Sequence, residues 1–142
     1  MAEALSQAQA AETMFGAVLV RGGEIVARAH NTISETGDPS AHAELNLIRT
    51  FCQESGLRSL AGYALYTTAE PCPMCAALCA FTGVSEVVFG VSIADLVDLG
   101  VPQIELSCAE VVGRGPAEVT VRGGVLRDAC LAHCRMLAAR GR

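Results

Sequence analysis

The chain has 142 residues, of which 51% are hydrophobic and 18% charged, with a formal net charge of −5. That is enough for one domain with a real core and too little for two, so residues 1–142 are read as a single domain. No apolar run reaches eighteen residues, which excludes a membrane-spanning helix, and the acidic balance, the lack of lysine and an aromatic content of 4% count against a surface that tracks extended nucleic acid.

The first thirteen residues carry Glu3 and Glu12 and no basic side chain, the wrong pattern for a signal or transit peptide. Residues Ala2 to Thr13 read as a short helix. Phe15 to Val20 and Ile25 to Ala29 are apolar and flank the turn Arg21-Gly22-Gly23-Glu24, which predicts a β-hairpin. Residues Asn31 to Ser40 are rich in turn formers and read as a loop. His42 to Glu54 has Ala43, Leu47, Ile48 and Phe51 at helical spacing, with Ser40 as the expected N-cap and Gly56 as the stop.

Tyr63 to Thr68 is a predicted strand, Pro73 to Thr82 a helix stopped by Gly83, and Glu86 to Val91 a strand. Ile93 to Leu99 reads as a short helix. Beyond it the pattern weakens, with strands expected at Ile104–Leu106 and Val119–Val121 around a loop at Gly113–Pro116. Gly124 to Arg140 predicts a closing amphipathic helix, with Arg135, Arg140 and Arg142 on a solvated face. Strands alternating with helices after a hairpin imply an α/β fold with a mixed sheet covered on both faces.

Two short stretches carry the chemistry: His42-Ala43-Glu44 and Pro71-Cys72-Pro73-Met74-Cys75. One imidazole and two thiols form a zinc ligand set with an open fourth position. H-x-E followed by P-C-x-x-C is the pattern of zinc-dependent base deaminases. Cys72 precedes a proline and should be extended, with Pro73 as the first helical residue and Cys75 in the first turn. Both sulfurs would then sit near the positive end of a helix dipole, which favours the thiolate.

His42 and Glu44 pose a geometric problem. Residues two apart on a regular helix point about 200° from each other. They share a site only where the helix meets the metal end-on, so both motifs are expected at helix N-termini. Zinc (Zn2+) with three protein ligands lowers the pKa of bound water to about 7. Glu44 would carry a proton from that water to a leaving amine, and backbone N–H groups near Ala43 and Cys72 would hold developing charge.

These motifs, with Phe15-Gly16-Ala17-Val18, His30-Asn31, Asp38-Pro39-Ser40-Ala41 and Glu70, resemble the cytidine and deoxycytidylate deaminase superfamily, in the branch of guanine and tRNA adenosine deaminases. The resemblance covers nearly the whole chain. It implies a three-layer α/β/α fold around a five-stranded mixed sheet, a homodimer, and Asn31 contacting the substrate. Phe15-Gly16, Pro73 and the acidic segment at Asp95 resemble guanine deaminases, with Phe15 and Asp95 as substrate contacts. Val119 to Arg135 is more similar to tRNA adenosine deaminases, and the aromatic tail that helps close guanine deaminase pockets is missing.

The reading is therefore a hydrolytic deaminase of a small-molecule nucleobase or nucleoside, guanine-like. A tRNA adenosine deaminase and a deaminase of cytosine or another amino-heterocycle remain as alternatives. A closed structural zinc site is the reading of another class, with Cys79, four residues after Cys75, as fourth ligand. Seven cysteines without a secretory signal point to a reducing, cytoplasmic setting and to metal rather than a disulfide framework. Cys130 and Cys134 with His133 form a weaker candidate for a second metal site.

Overall fold

The computed structural model describes residues 1–140; Arg142, expected on a solvated face, lies outside them. Five strands form one sheet in the order β2-β1-β3-β4-β5. Helix α1 (Ala2–Ala10) precedes the hairpin β1 (Gly16–Arg21) and β2 (Glu24–His30). Helices α2 (Ile33–Thr36) and α3 (Ala43–Ser55) lead to β3 (Tyr63–Ala69), and α4 (Pro73–Thr82) leads to β4 (Glu86–Val91). Helices α5 (Ile93–Asp98) and α6 (Cys108–Val112) precede β5 (Thr120–Arg122), and α7 (Arg127–Arg140) ends the described chain.

β1 pairs antiparallel with both β2 and β3, while β3–β4 and β4–β5 are parallel. The mixed sheet follows from the connections. A two-glycine turn with Gly22 and Gly23 at positive φ closes the hairpin, whereas α4 supplies the crossover that a parallel neighbour requires. Helices α3, α4 and α6 pack on one face, where Leu19, Leu47, Ile48, Leu65 and Val87 are fully buried. Each such side chain stabilises the fold by roughly 1.5–3 kcal/mol relative to exposure.

Helices α1, α5 and α7 gather the second core around Leu5, Val91, Leu96, Cys130 and Cys134, giving three layers. This face brings helix backbone very close to the sheet. A Cβ on Gly16 would lie 2.2 Å from the Ala4 carbonyl oxygen, and one on Gly90 would lie 2.7 Å from the Cys130 sulfur. Gly16 is therefore a packing requirement of α1.

Two expectations fail here. Ile104–Leu106 forms no strand: it is part of the loop between α5 and α6 and pairs with none of the five strands. The strand expected at Val119–Val121 is present one residue on, at Thr120–Arg122, while no helix was expected at α6. Ser40 does not cap α3. Its N–H and hydroxyl both donate to Asp38 Oδ1, at 2.8 and 2.7 Å, and His42 occupies the N-cap position. Among the described residues, no helix is long and apolar enough to cross a membrane.

Candidate metal centre and substrate cavity

The zinc motifs meet because two helices begin at the same place. His42 is the N-cap of α3 with φ −71° and ψ 155°, and Cys72 is the N-cap of α4 with φ −62° and ψ 166°. Both are extended, so neither follows helical geometry. That removes the angular conflict between His42 and Glu44: the imidazole leaves from the cap while Glu44 leaves from the first turn. Pro73 occupies the first helical position of α4, where a missing N–H costs nothing. Cys75 lies one turn in and is buried.

The ligand atoms of His42, Cys72 and Cys75 all lie within 4.8 Å of one another. Cys72 Sγ is 3.5 Å from His42 Nδ1. With Zn–S near 2.3 Å and Zn–N near 2.0–2.1 Å, a tetrahedral site has an S···N edge of about 3.5 Å, so the group has zinc dimensions. Among the described residues, neither Cys79 nor the Cys130–His133–Cys134 set joins a group of this kind. Cys79 is buried in the core, and His133 Nε2 lies 2.8 Å from the Thr13 carbonyl oxygen.

The protonation behaviour of the trio fits a site built for a cation. Hydrogen bonding with Cys75, then the contact with His42, pulls the Cys72 thiol down to about 4. The same Cys72 neighbour, together with burial, pushes Cys75 upward. His42 is raised chiefly by Cys72. Two thiols this close cannot both ionise without a positive charge between them, and a divalent metal supplies one.

Glu44 is 5% exposed, and its Oε1 accepts from Thr67 Oγ1 at 2.9 Å. Burial raises its pKa against the opposing pull of that hydrogen bond. Thr67 thus fixes one carboxylate oxygen and leaves Oε2 for other work.

A cavity of about 610 Å³ opens over this group. Its walls include His42, Glu44, Cys72, Phe15, Asn31 and the segment Val101–Ile104. Phe15 serves as wall and also packs against both cores. Asn31 Oδ1 accepts from the Ile33 N–H at 3.0 Å, which assigns the amide orientation and turns its NH2 to other partners. The loop that carries Asn31 is tied to α3 by Asn46, whose Nδ2 lies 3.0 Å from the His30 carbonyl oxygen, 3.0 Å from Thr32 Oγ1 and 3.2 Å from the Ala41 carbonyl oxygen.

Two residues expected at the substrate, Ala43 and Asp95, are not among the cavity walls. Ala43 is the first residue of α3 and its methyl belongs to the core, so the part expected of it falls to its backbone N–H at the helix start and not to its side chain. Asp95 Oδ2 accepts from the Ser92 N–H at 2.9 Å in a capping box, and the Arg127 guanidinium forks onto both its oxygens. The Asp95 acid clips α5 to the start of α7. Sequence reasoning missed Asn46 and Gln103, and it placed Glu70 in the motif without giving it a role. Only α6 had a readable local signal, the capping box Ser107-Cys108-Ala109-Glu110.

Comparison with known proteins agrees with this geometry. The family model described as "Cytidine and deoxycytidylate deaminase zinc-binding region" matches residues 1–91, and the chain belongs to that family. A tRNA-specific adenosine deaminase from Bacillus subtilis (strain 168) is 48% identical over 95 residues, covering 63% of this chain and 58% of the relative. A guanine deaminase from the same organism is 48% identical over 61 residues, 43% of this chain and 39% of the relative. The matches thus span little more than half the length of such relatives. Among solved structures, a tRNA:A34 deaminase superposes with a TM-score of 0.76 at 29% identity, covering 92% of this chain and 94% of that one. A guanine deaminase from Nitrosomonas europaea gives 0.79 at 25% identity, covering 97% and 80%.

The Asp95 assignment has a consequence for stability. Arg127, followed by the Ser92 hydrogen bonds, holds the Asp95 carboxyl down to about 2. A depressed carboxyl stabilises the fold fully above its unfolded pKa of about 3.9, and that contribution disappears as pH falls to about 2. Asp95→Ala is expected to lower stability at pH 7 by about 1 kcal/mol, the usual cost of a lost cap, with zinc content unchanged. Urea unfolding of both proteins at pH 7 and pH 2.5 checks it: the difference should shrink at the lower pH. A difference equal at both would remove the ion-pair explanation.

Proposed function

We propose that this chain is a zinc-dependent aminohydrolase that deaminates a free nucleobase or nucleoside of the guanine type. His42, Cys72 and Cys75 hold the metal. Zinc bound by three protein ligands offers a fourth position to water and lowers its pKa to about 7. Glu44 takes a proton at Oε2 and delivers it to the departing amine, while Thr67 holds Oε1 in place. Phe15 packs against the flat ring, and the Asn31 NH2 donates to a ring or carbonyl acceptor. Overall, the oxygen of one water replaces the exocyclic amine on a ring carbon, and ammonia leaves.

The observation that carries the substrate class is the lining of the cavity. Among the described residues, no arginine contributes to it, and the chain has no lysine. A purine or other amino-heterocycle ring is served by such walls; a phosphate backbone is not. A second reading, deamination of tRNA adenosine, is favoured by the 48% identity to a tRNA-specific relative.

One ammonia-release assay separates these readings. Guanine, guanosine, adenine, cytosine, cytidine and an anticodon stem-loop are compared by kcat/KM, with Glu44→Ala as control. A purine base or nucleoside should lead. Glu44→Ala should keep its zinc and lose about 10²–10⁴-fold in turnover, the range for a positioned acid–base group. Activity on the stem-loop alone would overturn the substrate class, and full turnover by Glu44→Ala would overturn the assigned role.

A homodimer belongs to the same proposal. Phe81 is 78% exposed and Met74 38% exposed on α4, the helix capped by Cys72 and carrying Cys75, and exposed apolar groups beside a site invite a partner surface. Light scattering at micromolar concentration should read twice the 14.7 kDa chain mass; the single mass would remove this part.

A further inference from the structure

The wall Val101–Ile104 lies in the loop between α5 and α6, and little within that loop fixes it. Val101 N–H donates to the Leu96 carbonyl at 3.0 Å, and Leu106 N–H donates to the Ile104 carbonyl at 2.8 Å. The two short helices at its ends do the anchoring. Each begins with a capping box: Ser92 Oγ accepts from the Asp95 N–H at 3.1 Å, and Ser107 Oγ accepts from the Glu110 N–H at 3.2 Å. A capping box leaves the first helical N–H without an acceptor.

Glu70 supplies both. Its Oε2 accepts from the Ile93 N–H at 3.0 Å, and its Oε1 accepts from the Cys108 N–H at 2.9 Å. Ile93 and Cys108 are the first residues of α5 and α6. Glu70 is 9% exposed, and its own N–H donates to the Val91 carbonyl at 2.8 Å. One side chain at the end of β3 therefore pins both ends of the loop to the sheet, two residues before Cys72.

We propose that Glu70 is a positioning residue for substrate recognition: by fastening the starts of α5 and α6 it sets the distance between the Val101–Ile104 wall, with the Gln103 amide, and the metal centre. The inference rests on the deaminase reading for its substrate part. Gln103 is a wall residue with an amide that both donates and accepts, so it suits a heterocycle edge, which presents both kinds of group. The carboxylate is required because two N–H groups need two acceptor oxygens. A glutamine has one, and its NH2 would face the second N–H.

The experiment uses the full chain with Glu70→Gln and Gln103→Ala. Amide hydrogen exchange, zinc content and steady-state kinetics on the best base of the ammonia screen are measured for each. Glu70→Gln should speed exchange across residues 99–108 about tenfold, leave α3 and α4 at parent rates and keep its zinc. Its KM should rise about tenfold with kcat within about threefold. Gln103→Ala should raise KM similarly while exchange at Ile93 and Cys108 stays at the parent rate.

Parent-like exchange in Glu70→Gln would overturn the positioning claim. Zinc loss in that variant would overturn it in favour of support to the metal loop. An unchanged KM in Gln103→Ala would overturn the wall as a recognition surface. If the parent releases no ammonia from any substrate of the screen, the stem-loop included, the deaminase reading fails, and the exchange result alone decides whether Glu70 holds the loop.

Discussion

Everything in this molecule that bears on chemistry depends on two helices starting at one point. An N-cap residue has extended backbone, so its side chain is free of the helical screw and can aim forward past the helix end. His42 and Cys72 are both such residues, and Cys75 is a turn inside the second helix. The convergence places three ligand atoms within 4.8 Å. It also aims the positive ends of two helix dipoles at the thiols, which favours the ionised sulfur a metal needs. The sheet supplies the place. The centre sits beyond the ends of β3 and β4, where the chain leaves parallel strands, the usual crevice of an open α/β sheet.

The rest of the cavity follows from how that point is walled. Phe15 enters from the start of β1, while the Asn46 side chain ties the Asn31 loop to α3. Glu70 anchors the far wall through two backbone N–H groups. Glu44 is held by Thr67 from the central strand β3. Glu44, Asn31 and the starts of α5 and α6 are thus fixed by hydrogen bonds, and positioned groups of this kind lose little entropy when a ring binds.

The sequence disclosed the parts whose causes are local. Pro73 to Thr82 is helical as read, because a proline at the start and a glycine at the stop bound it. The hairpin followed from paired glycines between apolar runs, and the metal trio from ligand type and spacing. What stayed hidden was long-range. Glu70 bonds across 23 and 38 residues, and no local pattern announces either partner. Ile104 and Leu106 alternate like a strand but have no ladder beside them. Asp95 had two readable roles; the structure shows the cap with Ser92, and the ion pair with Arg127, 32 residues later, had no local signal.

Zinc K-edge X-ray absorption on the purified full chain tests the convergence most directly, since it counts the atoms around the metal. This structure predicts two sulfurs at about 2.3 Å and two nitrogen or oxygen atoms at about 2.0–2.1 Å, from Cys72, Cys75, His42 and one exchangeable position. A third sulfur in the shell would mean that another cysteine closes the site, and it would contradict the open, reactive centre described here.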